Sequence, residues 1–148
     1  MGLVNNQKAY DQYLLDEKGY GNILVNGHAT GYRFQVRMPN FRGNYLSCVE
    51  CLDFLLDGEP IPESRIEVLL NNKRFRIDDF PGLIYEYWDV NDRAVIEVLQ
   101  PGGLTGPHEV EAVLKLRYAY SAYFGVCKVV TSKNSKGYDF SQEGGERP

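Results

Sequence analysis

The stretch GYRFQVRMPNFRGNY, Gly31 to Tyr45, decides the fold. Tyr32, Phe34, Val36 and Met38 fall on one side of an extended chain, and Arg33, Gln35 and Arg37 on the other. A period of two marks a strand with one face buried. Pro39 cannot donate to a ladder, so pairing stops there or runs along an edge. Asn40 to Tyr45 then make a loop in which Phe41, Arg42 and Tyr45 surround Gly43. A rigid strand that delivers such a loop is how a β scaffold presents a binding site.

Working outward, the flanking segments repeat this grammar. Asn26-Gly27 is the strongest hairpin signal in the chain. It turns residues 22–25 back into the strand near Gly31, with His28, Ala29 and Thr30 lengthening the loop and His28 solvated at its tip. Leu46 to Leu56 reads as a strand with Leu52, Phe54 and Leu56 on one side, ended by Asp57-Gly58, Pro60 and Pro62. Ile66, Val68 and Leu70 alternate into an Asn71-Asn72 turn, and Phe75 and Ile77 return. Asp78 to Gly82 is an acidic loop without the further oxygen ligands calcium needs. Leu83 to Val90, with Tyr85, Tyr87 and Trp88, and Ala94 to Leu99 are two more strands, separated by Asn91-Asp92.

Pro101 to Pro107 is a loop; its glycine pair lacks the lysine and helix of a phosphate loop. The longest alternation runs from Glu109 to Tyr120, well beyond the roughly 5–6 residues of a usual strand. Tyr123 to Gly125 makes a corner and Val126 to Thr131 a last short strand. These elements predict a single-domain, all-β, antiparallel sandwich of about seven to nine strands over 10–131. Residues 1–9 read as a flexible arm and 132–148 as a polar tail.

Composition agrees with a globular domain: 148 residues, 43% apolar and 24% charged. The formal charge of −4 disfavours a nucleic-acid partner. No apolar run reaches the ~18 residues of a membrane span and no leader precedes the domain, so the chain reads as cytoplasmic. Eleven tyrosines suit strands, interfaces and sugar sites alike. Cys48 and Cys51 form a CxxC, read as free thiols, because residues three apart on a strand face opposite ways. His28 and His108 lie in no catalytic spacing. No GxSxG, HExxH or nucleophile beside a base occurs, so no catalytic residue and no metal site is assigned to this chain.

Several segments taken in order resemble a known family, the small β subunit of C-glycoside deglycosidases. They are the Asn26-Gly27 hairpin, the run Thr30 to Pro39, Phe41-Arg42-Gly43, Leu46-Ser47, Leu56 to Pro62, Pro101 to Leu104, Gly106 to Val110, and the tyrosine-rich strand ending near Tyr118 and Tyr120. The Cys48/Cys51 pair and the polar N-terminus depart from that pattern. The resemblance implies a hetero-oligomer with a large TIM-barrel α subunit, similar to xylose-isomerase-like proteins, which carries a divalent metal, Mn²⁺ by expectation, and the acid/base residues. The implied substrate is a 3-oxo-C-glycoside whose keto group acidifies the C2 proton, permitting elimination of a flavonoid-type aglycone. This chain is then an accessory subunit. Arg37, Pro39, Phe41, Arg42, Gly43 and Tyr45, with Tyr118, Tyr120 and Phe124, are the candidate interface or substrate-mouth residues, since Tyr and Arg are typical anchors. An alternative is a stand-alone glycoside-binding module that stacks sugars on Trp88 and tyrosines; a third is a thiol or metal protein built on the CxxC.

Overall fold

The computed structural model describes residues 9–118, 128–141 and 145–146. Its strands are β1 (Gly21–Val25), β2 (His28–Arg37), β3 (Asn44–Tyr45), β4 (Val49–Leu56), β5 (Glu59–Pro60), β6 (Ile66–Leu70), β7 (Lys73–Phe75), β8 (Tyr87–Trp88), β9 (Arg93–Leu99), β10 (Pro107–Tyr118), β11 (Lys128–Asp139) and β12 (Gly145–Glu146). Eight of these have three or more residues, within the expected range; the two-residue segments β3, β5, β8 and β12 are additions. One sheet has the order β12-β1-β2-β9-β6-β7, a second β11-β10-β4-β5, and β3-β8 is a small ribbon. Every pairing is antiparallel except β1 with β12. Among the described residues no helix is long and apolar enough to cross a membrane.

The alternation in β2 is realised as read. Tyr32, Phe34, Val36 and Met38 are buried, and Arg33, Gln35 and Arg37 line the outer face. β9 supplies Ala94, Ile96 and Val98 to the same core, and β6 supplies Ile66, Val68 and Leu70. Across the interior they meet Leu52 and Phe54 of β4 and Val110, Ala112, Leu114 and Leu116 of β10. Phe34 meets Phe54 edge to face between the sheets, ring centroids 5.1 Å apart, the arrangement the ring quadrupoles prefer.

Four readings need correction. The β1–β2 hairpin is tighter than expected. Asn26 and Gly27 both have positive φ (52° and 79°), as a two-residue type I′ turn requires, so His28, Ala29 and Thr30 belong to β2. Asn71 and Asn72 make the same kind of turn between β6 and β7, with φ of 56° and 60°. Second, the strand expected over Leu46 to Leu56 opens with a 3₁₀ turn, Leu46–Cys48, which buries Cys48. Third, Leu83 to Val90 is no continuous strand, since only Tyr87–Trp88 pairs.

Fourth, residues 132–139, expected within a polar tail, are strand. β11 pairs with β10 residue for residue, from Pro107↔Asp139 to Tyr118↔Lys128. Its polarity has a structural cause: several of its side chains bind the N-terminal segment that closes the open flank of the sandwich. Ser132 Oγ donates to Asp11 Oδ1 at 2.6 Å, Asn134 Oδ1 accepts the Leu15 amide at 3.0 Å, and Tyr138 Oη donates to the Asp16 carbonyl at 2.5 Å. Leu14 and Leu15 are thereby held in the core, Leu15 bridging to Val36 beyond the end of β1.

Candidate functional site

At the end of the sandwich where β2 finishes and β9 begins, two irregular segments lie side by side: 38–45 and 83–88. Each is anchored by buried groups and displays exposed ones. Met38 and Pro39 are buried, and the Asn40 side chain accepts the Phe41 amide at 2.8 Å to turn the loop outward. Gly43 is buried, and a Cβ there would stand 2.3 Å from the Trp88 carbonyl oxygen and 2.9 Å from the Tyr87 ring. Only a glycine permits this approach. Asn44 is buried, and its amide nitrogen donates to the Arg117 carbonyl at 3.0 Å, fastening the loop to β10. Arg117 itself reaches Glu50 at 2.6 Å and the Ser47 carbonyl at 3.1 Å.

The 83–88 segment is braced from below. The Leu46 amide donates to the Glu86 carbonyl at 2.8 Å. The Glu86 carboxylate accepts from Lys73 at 2.5 Å and Asn71 at 3.2 Å, and Asn71 also donates to the Tyr87 carbonyl at 3.0 Å. These donors, Lys73 foremost, hold the Glu86 carboxyl below its usual range. Trp88 is only 1% exposed and its indole N–H donates to the Asp92 carbonyl at 3.0 Å. It is a core anchor and offers no stacking face, so the glycoside-module reading loses Trp88 and keeps only its tyrosines.

Five large side chains remain in the open on this frame: Phe41 (63% exposed), Tyr45, Ile84, Tyr85 (87%) and Tyr87. Tyr45 and Tyr87 touch edge to face across the β3–β8 ribbon, centroids 5.1 Å apart. The Arg42 guanidinium lies 5.7 Å from the Phe41 ring centroid, within cation–π range. A shallow cleft of about 290 Å³ beside them joins Arg37, Phe41, Tyr10 and Tyr13, and Arg37 sits 5.9 Å from the Tyr13 ring. Exposed aromatics on neighbouring segments with an arginine among them have the composition of a protein interface.

Of the residues predicted from sequence, the structure gathers Arg37, Phe41, Arg42 and Tyr45 at one end. Pro39 and Gly43 are there too, buried beneath the surface they shape. Tyr118 is a correction: at 3% exposure it belongs to the core and presents no ring to a partner. Tyr120 and Phe124 lie outside the described residues. Sequence reasoning missed Ile84, Tyr85 and Tyr87 as surface groups because it assigned them to a paired strand. The signal available was Pro81-Gly82 just upstream, which interrupts any ladder.

At the far end of β4 and β10 a histidine and a carboxylate satisfy each other. His108 Nδ1 lies 2.6 Å from Asp57 Oδ2 and its Nε2 3.0 Å from the Thr105 carbonyl, while the Glu109 amide donates to Asp57 Oδ1 at 2.8 Å. With an acceptor at each ring nitrogen, the imidazolium is favoured. The Asp57 hydrogen bond raises the His108 pKa, and the Glu109 amide, then His108, lowers that of Asp57. Cys48 and Cys51 are free thiols. Partial burial, then the Asp53 carboxylate 3.2 Å away, push the Cys51 thiol up to about 11, the reverse of a reactive cysteine. Among the described residues no three His, Cys, Asp or Glu side chains converge as a metal would require, so no step is derived through a metal in this chain.

Residues 10–120 match the protein family described as C-glycoside deglycosidase beta subunit. The chain is 29% identical over 103 residues to a C-glycoside deglycosidase beta subunit of Eubacterium cellulosolvens, covering 68% of this chain and 70% of that protein. It is 26% identical over 115 residues to a 3'-dehydrocarminate deglycosidase beta subunit of a Microbacterium species, covering 76% and 86%.

Proposed function

The chain belongs to the family of C-glycoside deglycosidase beta subunits, and on that premise we propose that it is the accessory subunit of a hetero-oligomeric carbon–carbon lyase in the cytoplasm. In this reading it packs against a TIM-barrel α subunit, steadies it and shapes the mouth of its active site. The substrate is a 3-oxo-C-glycoside: loss of the proton next to the keto group expels the aromatic aglycone by elimination. A divalent metal on the α subunit, manganese by expectation, supplies charge stabilisation for the developing enolate.

The observation that carries the reading is the exposed set Phe41, Tyr45, Ile84, Tyr85 and Tyr87 on loops pinned by Gly43, Asn44 and Trp88. A monomer gains nothing from anchoring apolar side chains so firmly in solvent, whereas a partner gains a preorganised surface. The contribution of this chain is therefore binding and shape.

Co-expression with a xylose-isomerase-like α subunit tests it. The expected result is a complex on size exclusion, with C-deglycosylation requiring both chains. A monomeric chain beside an α subunit fully active alone would sink the proposal.

A further inference from the structure

The outer face of the six-stranded sheet holds a cleft of about 250 Å³ near the opposite end of β2. It opens at Gly31. By parity with Arg33 this residue faces outward, and a Cβ there would lie 2.2 Å from the Val98 carbonyl oxygen. A side chain there would collide with the β9 backbone, so the cleft wall at this point is bare main chain.

The floor of the cleft is unusual for an outward sheet face. Glu97 points outward from β9 between Val95 and Leu99, yet only 7% of it is exposed. Carboxylates are almost never this buried unless paired, and Arg74 holds Glu97 at 2.6 Å while reaching Glu67 at 3.1 Å. On the rim stand Arg65 and Arg76. Arg65 reaches Gln100 at 3.5 Å, and Arg76 reaches the Ser64 carbonyl at 3.3 Å and Asp78 at 3.9 Å. These contacts are long, and they engage few of the five N–H donors each guanidinium carries. Leu99, 59% exposed, forms an apolar flank.

These groups select their ligand by exclusion. An anion drawn to Arg65 and Arg76 would face Glu67 and Glu97; a cation drawn to the carboxylates would face three guanidinium groups. A neutral molecule rich in hydroxyls meets no such conflict, because each hydroxyl both donates and accepts. The volume lies below the roughly 300–1,000 Å³ of drug-sized sites, which limits the occupant to one ring. We propose that this cleft binds a single neutral pyranose unit: Glu67 and Glu97 accept from its hydroxyls, Arg65 and Arg76 donate to them, and Leu99 packs against its C–H face. The site is independent of the subunit reading. Gly31 and Arg37 are six residues apart on β2, roughly 20 Å at strand rise, so a ligand here and a partner at the aromatic end do not compete.

A ¹H–¹⁵N titration of the full chain decides the matter, using the methyl glycosides of glucose, galactose and xylose, with sodium phosphate and putrescine as charged probes. At least one glycoside is expected to give saturable shifts at Gly31, Arg65, Glu97 and Leu99. Arg65→Ala and Leu99→Ala replace exposed side chains, so both variants should fold. Arg65→Ala should weaken binding by about tenfold or more, as loss of hydrogen bonds to a charged group predicts; Leu99→Ala should also weaken it, and Tyr85→Ser should leave it unchanged. The inference is overturned if no glycoside shifts these residues, if phosphate or putrescine shifts them instead, or if binding survives both substitutions.

Discussion

The two ends of the sandwich are built from similar residues and finished in opposite ways. At the β4–β10 end, Asp57, His108, Thr105 and Glu109 satisfy one another, and the His108 ring meets Phe140 edge to face at 6.1 Å. The polar groups of that cluster find their partners within the chain. At the other end Gly43, Asn44 and Trp88 are just as tightly held, but what they hold up is Phe41, Tyr45, Ile84, Tyr85 and Tyr87, left in water. Rigid support beneath an uncovered apolar surface is what the proposed interface requires and what a loop that closes on itself lacks.

The comparison breaks most readily at Trp88. Trp88→Ala should lower stability by about 3–5 kcal/mol, the usual cost of a truncated core aromatic, with the change read from urea melts. Its effect on α-subunit capture should match that of losing the whole 83–88 segment. If capture persists at full strength, the aromatic end is not the interface. Gly43→Ala comes next. The clash with the Trp88 carbonyl should cost about 1–3 kcal/mol, typical of overpacking, and limited proteolysis should then cut within 38–45.

Replacing surface residues separates support from display. A Phe41→Ser, Tyr85→Ser double variant should stay within about 0.5 kcal/mol of the parent in stability yet lose at least about 2 kcal/mol of partner binding, as for hot-spot aromatics, measured by calorimetry against the α subunit. Arg42→Ala should weaken assembly or raise KM by a smaller factor with the fold intact; an unfolded Arg42→Ala would make that loop structural. The smallest effect belongs to the other end. The raised His108 pKa gives stability that is complete below the unfolded value of 6.5 and lost as pH rises through the folded one. The lowered Asp57 pKa gives stability complete above 3.8 and lost on further acidification. The pair therefore contributes fully between those limits, and His108→Gln should flatten the fall in Tm above that window while leaving α binding unchanged.

Much of this was legible in the residues. Tyr32, Phe34, Val36 and Met38 announced the buried face of β2, and the Asn26-Gly27 and Asn71-Asn72 turns announced two hairpins, because period and turn chemistry are local properties. Arg37, Phe41, Arg42 and Tyr45 were grouped at one end because they flank the strand break at Pro39. Only the start of β11 was legible, within the short strand read over Val126 to Thr131: beyond it Ser132 and Asn134 sit where apolar residues would be expected, and only the 9–16 segment, over a hundred residues away in sequence, explains why polar groups suit those positions. Trp88 looked like a surface aromatic because composition does not say which side of a strand is covered, whereas Tyr118 shares the parity of Val110, Leu114 and Leu116 and is buried with them.

The sequence by itself thus determined the all-β class, the principal hairpins and the loop at the end of β2. Each follows from interactions between near neighbours, which a pattern of side chains records directly. The tertiary structure alone decided which aromatics stay exposed, which carboxylate is buried on an outer face, and how far β11 runs. Those outcomes rest on contacts between distant segments, such as Gly43 against Trp88, Arg74 against Glu97 and Ser132 against Asp11. Such contacts leave no local periodicity in the chain.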